Sequence, residues 1–88
     1  ITDSSNGKMY IGSSIGEEMI FGRWKSYIKN GNGGNVELKK ISLDHIKQNF
    51  RYSILEIFKS TMDDRTILER ENWWKELFLT RKFGYNRN

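Results

Sequence analysis

A chain of 88 residues suits one domain with a modest core. It has no cysteine and one histidine, His45, which excludes disulfides, cysteine-held zinc and histidine-rich metal centres. Any metal must then be held by oxygen ligands, which favours magnesium, manganese or calcium. Lys and Arg number 15 against 11 acidic residues, a net charge of +4, a mild excess that fits nucleic acid without requiring it. No stretch is long and apolar enough to cross a membrane, and no signal-peptide pattern opens the chain, so a cytoplasmic location is the expectation. The start at Ile1 rather than a methionine suggests a fragment or excised domain, read as a single unit over residues 1–88.

Ile1 and Thr2 read as the end of a strand. Asp3-Ser4-Ser5-Asn6-Gly7 is a turn signal, with Asn6-Gly7 suited to positive φ. Lys8 to Ser13 is the return strand, with Met9 and Ile11 alternating against Lys8 and Tyr10. Gly12 marks a point of close approach by backbone or ligand. From Glu17 to Lys29, Ile20, Phe21, Trp24 and Ile28 fall on one side of a helix. Gly31 to Gly34 ends it in a loop, and Asn35 can cap a short second helix running to Ile41. Phe50 to Phe58 reads as a central strand. Ser60 or Thr61, each with an aspartate three residues on, can start a last helix running to Phe78. Gly84-Tyr85-Asn86 closes the chain as a turn or edge strand. The sum is a small α+β domain.

Within the last helix, Ile67, Leu68, Trp74 and Phe78 form the apolar stripe, and Glu71 falls inside it. A carboxylate there needs an ion pair, hydrogen bonds or a cation. One reading is a structural salt bridge to a base such as Arg23; the other is a metal ligand. Glu69 and Glu76 project from the opposite side as solvated charges. Arg23 lies at the edge of the first helix's apolar face, where a guanidinium could grip a phosphate or simply pack its stem on aromatics. Tyr10 can pass protons only if nearby positive charge lowers its pKa, and packing is the default for a strand tyrosine. Trp73 and Trp74 could stack on bases, although at least one is more simply core. His45, in a polar segment between helix and strand, is expected at the solvent.

In order along the chain, these residues resemble the GIY-YIG nuclease superfamily. Lys8-Met9-Tyr10-Ile11-Gly12-Ser13 resembles the second half of its signature, and Arg23-Trp24-Lys25 the helix carrying its arginine. Asn35-Val36-Glu37-Leu38 resembles a recurring asparagine and leucine, and Phe50 to Glu56 the third strand. Leu68-Glu69-Arg70-Glu71-Asn72 resembles the motif with the metal-binding glutamate, and Gly84-Tyr85-Asn86 the closing turn of the phage intron-homing branch. The resemblance covers nearly the whole chain and implies a three-stranded, mainly antiparallel sheet flanked by helices, its first strand truncated. The family's Gly-Ile-Tyr motif falls, by spacing, just before Ile1, and Tyr27 stands where the homing branch often has a histidine.

The resemblance implies a divalent-metal-dependent endonuclease hydrolysing DNA phosphodiesters with magnesium or manganese. Glu71 would bind the metal, Arg23 would neutralise charge on the phosphate, and Tyr10 would orient or deprotonate the attacking water. Gly12, Lys25, Tyr27 and Asn86 are placed with the substrate, Asn86 as a residue that shapes the site. His45 receives no role. DNA is expected to bind weakly, with sequence choice supplied by a domain outside this chain. Glu71→Ala is expected to abolish cutting and leave the fold intact. The alternative is a catalytically inactive module of the same fold that binds nucleic acid or protein.

Overall fold

The first turn is built by a buried acid. In the computed structural model, which describes residues 1–14, 38–59 and 61–87, Asp3 is 0% exposed. Its backbone carbonyl accepts from Gly7 at 2.8 Å and from Asn6 at 3.3 Å, and its N–H donates to Lys8 at 2.8 Å. Gly7 has φ +79°, the left-handed backbone the Asn-Gly pair foretells. The chain therefore reverses, and Met9 pairs with Thr2 in an antiparallel bridge.

Strand β1, Thr2–Asp3, pairs on its other side with β2, Phe50–Arg51. The pairing is antiparallel, with Thr2 opposite Arg51 and Asp3 opposite Phe50. The named sheet thus has two strands, and the return strand expected over Lys8 to Ser13 is present only as the single bridge at Met9, with Tyr10 to Ser13 continuing outside the sheet. The expected strand over Phe50 to Phe58 is correct only at its start, and β2 flanks β1 rather than lying centrally. Residues 52–59 lie outside that pairing. Ile54, Leu55 and Ile57 are exposed there.

A helix that apolar spacing alone did not disclose precedes β2. Helix α1, Leu43–Asn49, is capped by Ser42, whose hydroxyl accepts from the His45 N–H at 3.2 Å. Ser42 before Leu43 and Ile46 is the signal that could have found it. The helix expected from Asn35 to Ile41 lies partly outside the described residues. Its described part is one 3-10 turn, Leu38–Lys40, with Leu38 fully buried. Leu38, Ile46, Phe50 and Tyr85 form the main core cluster, with Ile1, Tyr10, Ile41 and Tyr52 packed on it. The helix expected over Glu17 to Lys29 and the loop over Gly31 to Gly34 lie outside the described residues.

Helix α2 runs Asp64–Leu77. Its cap is Asp63 rather than Ser60, which lies outside the described residues, or Thr61: the Asp63 carboxylate accepts from the Thr66 N–H at 2.9 Å. A hydrogen bond with the Thr66 side chain, aided by that from its N–H, holds the Asp63 carboxyl below its ordinary pKa. An acid at the cap answers the unpaired N–H groups of the first turn directly. The helix shows a different face from the expected stripe. Leu68 is 54% exposed and Phe78 also faces out, while Ile67, Glu71 and Lys75 turn inward at four-residue steps.

Leu79, at φ 54°, breaks the chain into the short helix α3, Thr80–Phe83. Gly84 then passes close to Met9: a Cβ there would overlap the Met9 carbonyl oxygen and stand 2.8 Å from that of Thr80. Both neighbours are backbone and cannot swing aside. Gly84→Ala is therefore expected to lower stability by about 2 kcal/mol or more through overpacking, read as a fall in thermal midpoint.

Candidate functional site

The tail holds the segment that leads to the site. The Tyr85 N–H donates to the Met9 carbonyl at 2.8 Å. Asn86, 0% exposed, accepts from the Ile11 N–H at 2.8 Å and donates to the Ile11 carbonyl at 2.9 Å. Its amide replaces a neighbouring strand, satisfying both backbone groups of the residue between Tyr10 and Gly12. The Asn86 amide faces Ile11 rather than solvent.

Past Ile11 the chain reaches α2. The Ser13 hydroxyl donates to Glu71 Oε2 at 3.2 Å, and the Lys75 ammonium lies 3.6 Å from Glu71 Oε1. The Glu71 side chain is 13% exposed and that of Lys75 4%, so this pair sits largely out of water. The sequence singled out Glu71 as a charge on the inward face, and the structure places it there. Its described cationic partner is Lys75, however, and Arg23 lies outside the described residues. Lys75 was missed although it follows Glu71 by four residues, the spacing and order that favour a Glu–Lys contact on a helix. Glu69 and Glu76 are exposed, as their side of the helix requires.

A second acid anchors the neighbouring segment to α2. Glu56 Oε1 accepts from Arg70 Nε at 2.9 Å and from Trp74 Nε1 at 2.6 Å. The Arg70 hydrogen bonds, against the opposing effect of burial, hold the Glu56 carboxyl below its ordinary pKa, with Trp74 adding to them. The Arg70 guanidinium in turn lies 4.6 Å from the Trp73 ring centroid. Trp74 stacks on Phe78 with centroids 5.6 Å apart, whereas Trp73 is 46% exposed. Trp74 is thus the half-buried member of the pair.

The other expected residues are distributed as follows. Tyr10 is half-buried and packs on the core cluster of Leu38, Ile46, Phe50 and Tyr85. Gly12 is exposed, between buried Ile11 and half-buried Ser13. Arg23, Lys25 and Tyr27 lie outside the described residues. The structure therefore joins the Tyr-Ile-Gly segment to Glu71 through Ser13, and joins Asn86 to the same segment.

Away from Glu71, Asp3 gathers donors from three parts of the chain. Oδ1 accepts from the Ser5 N–H at 3.0 Å and the Ser5 hydroxyl at 2.6 Å. Oδ2 accepts from the Tyr85 hydroxyl at 2.7 Å and lies 2.9 Å from His45 Nε2. Burial opposes ionisation of Asp3, but hydrogen bonds from Ser5, Tyr85 and His45 outweigh it and hold the carboxyl well below the usual range. Burial, aided by the Asp3 charge, pushes the Tyr85 phenol up, against a hydrogen bond from Asn6. His45 is thus not a solvent-facing bystander: α1 presents it, half-buried, to Asp3.

A family model for the GIY-YIG catalytic domain matches residues 1–86. No curated protein and no solved structure matches the chain. Among the described residues, no helix is long and apolar enough to cross a membrane. With its Tyr-Ile-Gly segment tied through Ser13 to Glu71 and through Ile11 to Asn86, and with the family's domain matched from Ile1 to Asn86, the chain belongs to the GIY-YIG family.

Proposed function

We propose that this domain is a divalent-metal-dependent endonuclease that hydrolyses DNA phosphodiesters. Membership of a nuclease family supports the reaction class. The observation that carries the reading is Glu71: a carboxylate on a fourteen-residue helix, largely out of water, with Oε2 at the Ser13 hydroxyl beside the Tyr-Ile-Gly segment.

The donor set fits one kind of cation better than others. Among the described residues no three His, Cys, Asp or Glu side chains cluster, so Glu71 would act as a single carboxylate with Ser13 nearby. Magnesium suits such a sparse set, because it keeps several waters and shares the oxygens of a phosphate; calcium, which takes more protein oxygens, suits it poorly. A cation held by Glu71 would supply polarisation of the phosphoryl group and stabilisation of the leaving oxygen.

The remaining roles fall to the chain's own residues. Glu71 fixes the point at which the phosphate is held. Arg23 neutralises charge growing on that phosphate. Tyr10 orients or deprotonates the attacking water. Gly12, exposed and without a side chain, lets the DNA backbone come close, and Lys25 and Tyr27 contribute to holding the DNA. Asn86 keeps the Tyr10–Gly12 segment in place. The modest charge of +4 supplies few phosphate contacts, so this domain binds DNA weakly and sequence choice comes from a further DNA-binding domain.

Supercoiled plasmid incubated with the protein and magnesium or manganese is the test. Nicking that a chelator stops supports the nuclease. Binding to varied DNA or RNA with no cleavage at any metal concentration would favour a catalytically silent binding module instead.

A further inference from the structure

Lys75 is 3% exposed, a position at which a helix packed on its neighbours ordinarily carries an aliphatic side chain. Its ammonium lies 3.6 Å from Glu71 Oε1, while Ser13 occupies Oε2 at 3.2 Å. The two carboxylate oxygens are therefore differently engaged. Ser13 makes a directed hydrogen bond. Lys75 stands at ion-pair range, close enough to balance the charge but without the short contact that would commit a lone pair. A buried ammonium and a buried carboxylate each need the other, or an equivalent charge, to stay out of water.

We propose that Lys75 is a positioning residue for the nuclease site: it is the resident counter-ion of Glu71, and a divalent cation binds the carboxylate against it. The inference rests on the reading of Glu71 as the metal ligand. In the absence of metal, Lys75 balances the charge of Glu71 and fixes it on the inward face of α2. When metal arrives, the same ammonium repels it, so Lys75 sets the metal affinity lower than Glu71 and Ser13 alone would give. The residue thereby trades tight binding for a carboxylate that is never left bare.

The test is manganese binding, followed by the paramagnetic resonance signal of the free ion, in wild type, Lys75→Met, Lys75→Arg and Glu71→Gln. Lys75→Met keeps the length of the side chain and removes its charge. It is expected to bind manganese about tenfold or more tighter than wild type, since a like charge within a few ångströms of the ion has gone. Lys75→Arg should bind like wild type, and Glu71→Gln should lose binding. A role in packing alone would lower the thermal midpoint of Lys75→Met without moving its metal affinity, and that outcome overturns the proposal. So does equal or weaker binding by Lys75→Met when Glu71→Gln has lost it; the reading of Glu71 then still stands. Manganese binding that survives Glu71→Gln overturns both. Should Lys75→Met not fold, wild type carrying labelled lysine is titrated with magnesium. The Lys75 ε-methylene signal is expected to shift in step with metal occupancy, and an unmoved signal overturns the proposal.

Discussion

Asp3→Ala will cost the domain about 3–4 kcal/mol, because it strips a fully buried acceptor from the Ser5 amide and hydroxyl, the Tyr85 hydroxyl and His45 at once. Each donor left behind is enclosed or partly enclosed, and the hairpin turn, α1 and the tail all lose their common anchor. At roughly 4–8 °C per kcal/mol for a domain of this size, the thermal midpoint should fall by about 12–30 °C. The same acid predicts a pH dependence. Its folded pKa is depressed, so its contribution is fully present above the unfolded carboxylate value of about 3.9 and is lost as pH falls toward the lower folded value. Wild type should therefore lose stability steeply below about pH 4, and Asp3→Asn should show a shallower acid limb. Tyr85 works at the other end: its raised folded pKa gives stability present below about pH 10 and lost as pH rises through the folded value. Urea midpoints across pH measure both. An acid limb unchanged in Asp3→Asn would place the acid sensitivity elsewhere.

Glu71 substitutions will separate chemistry from stability. Glu71→Gln should reduce metal-dependent cleavage by about a thousandfold or more, the scale of losing the group that places the cation. The amide oxygen can face Lys75 while the amide nitrogen donates to the Ser13 hydroxyl oxygen, so the fold survives with a modest loss. Glu71→Ala removes that oxygen and leaves the Lys75 ammonium buried beside a void. It should cost about 2–4 kcal/mol in addition to its activity. The expectation that alanine leaves the fold intact is thus revised by Lys75, which the sequence reading did not pair with Glu71. The double variant Glu71→Ala with Lys75→Met should recover much of that stability and none of the activity. A thermal midpoint for the double variant no higher than for Glu71→Ala would argue against the ion pair as the cause.

What could be read from the residues was whatever depends on local order. Asn6-Gly7 announces a turn, and Gly7 duly takes a positive φ. Glu71 stands out because a helical wheel needs nothing but spacing. The spacing misplaced Leu68 and Phe78, which share the face on paper yet stand exposed, while the buried line runs through Ile67, Glu71 and Lys75. Charged residues in that line defeat a hydrophobic count. The Phe50 to Phe58 segment has strand composition, but composition does not supply a pairing partner, and the observed pairing covers Phe50 and Arg51. Asp3 was hidden for a different reason. Its link to Ser5 is an Asx-type local contact that the turn sequence signals, whereas His45 and Tyr85 come to it from 42 and 82 residues away. No local pattern carries such distances. Asn86 was placed in the right motif, but its use as a clamp on Ile11 appears only once the tail is folded against that segment.

The most direct test of the central claim is single-turnover cleavage of supercoiled plasmid by wild type and Glu71→Gln side by side in magnesium, with both proteins first shown to be folded by thermal melting. Metal-dependent nicking by wild type that disappears in Glu71→Gln is the predicted result and places Glu71 at the chemistry. Cleavage that persists undiminished in a folded Glu71→Gln protein would contradict the account and leave Glu71 and Lys75 as a structural ion pair.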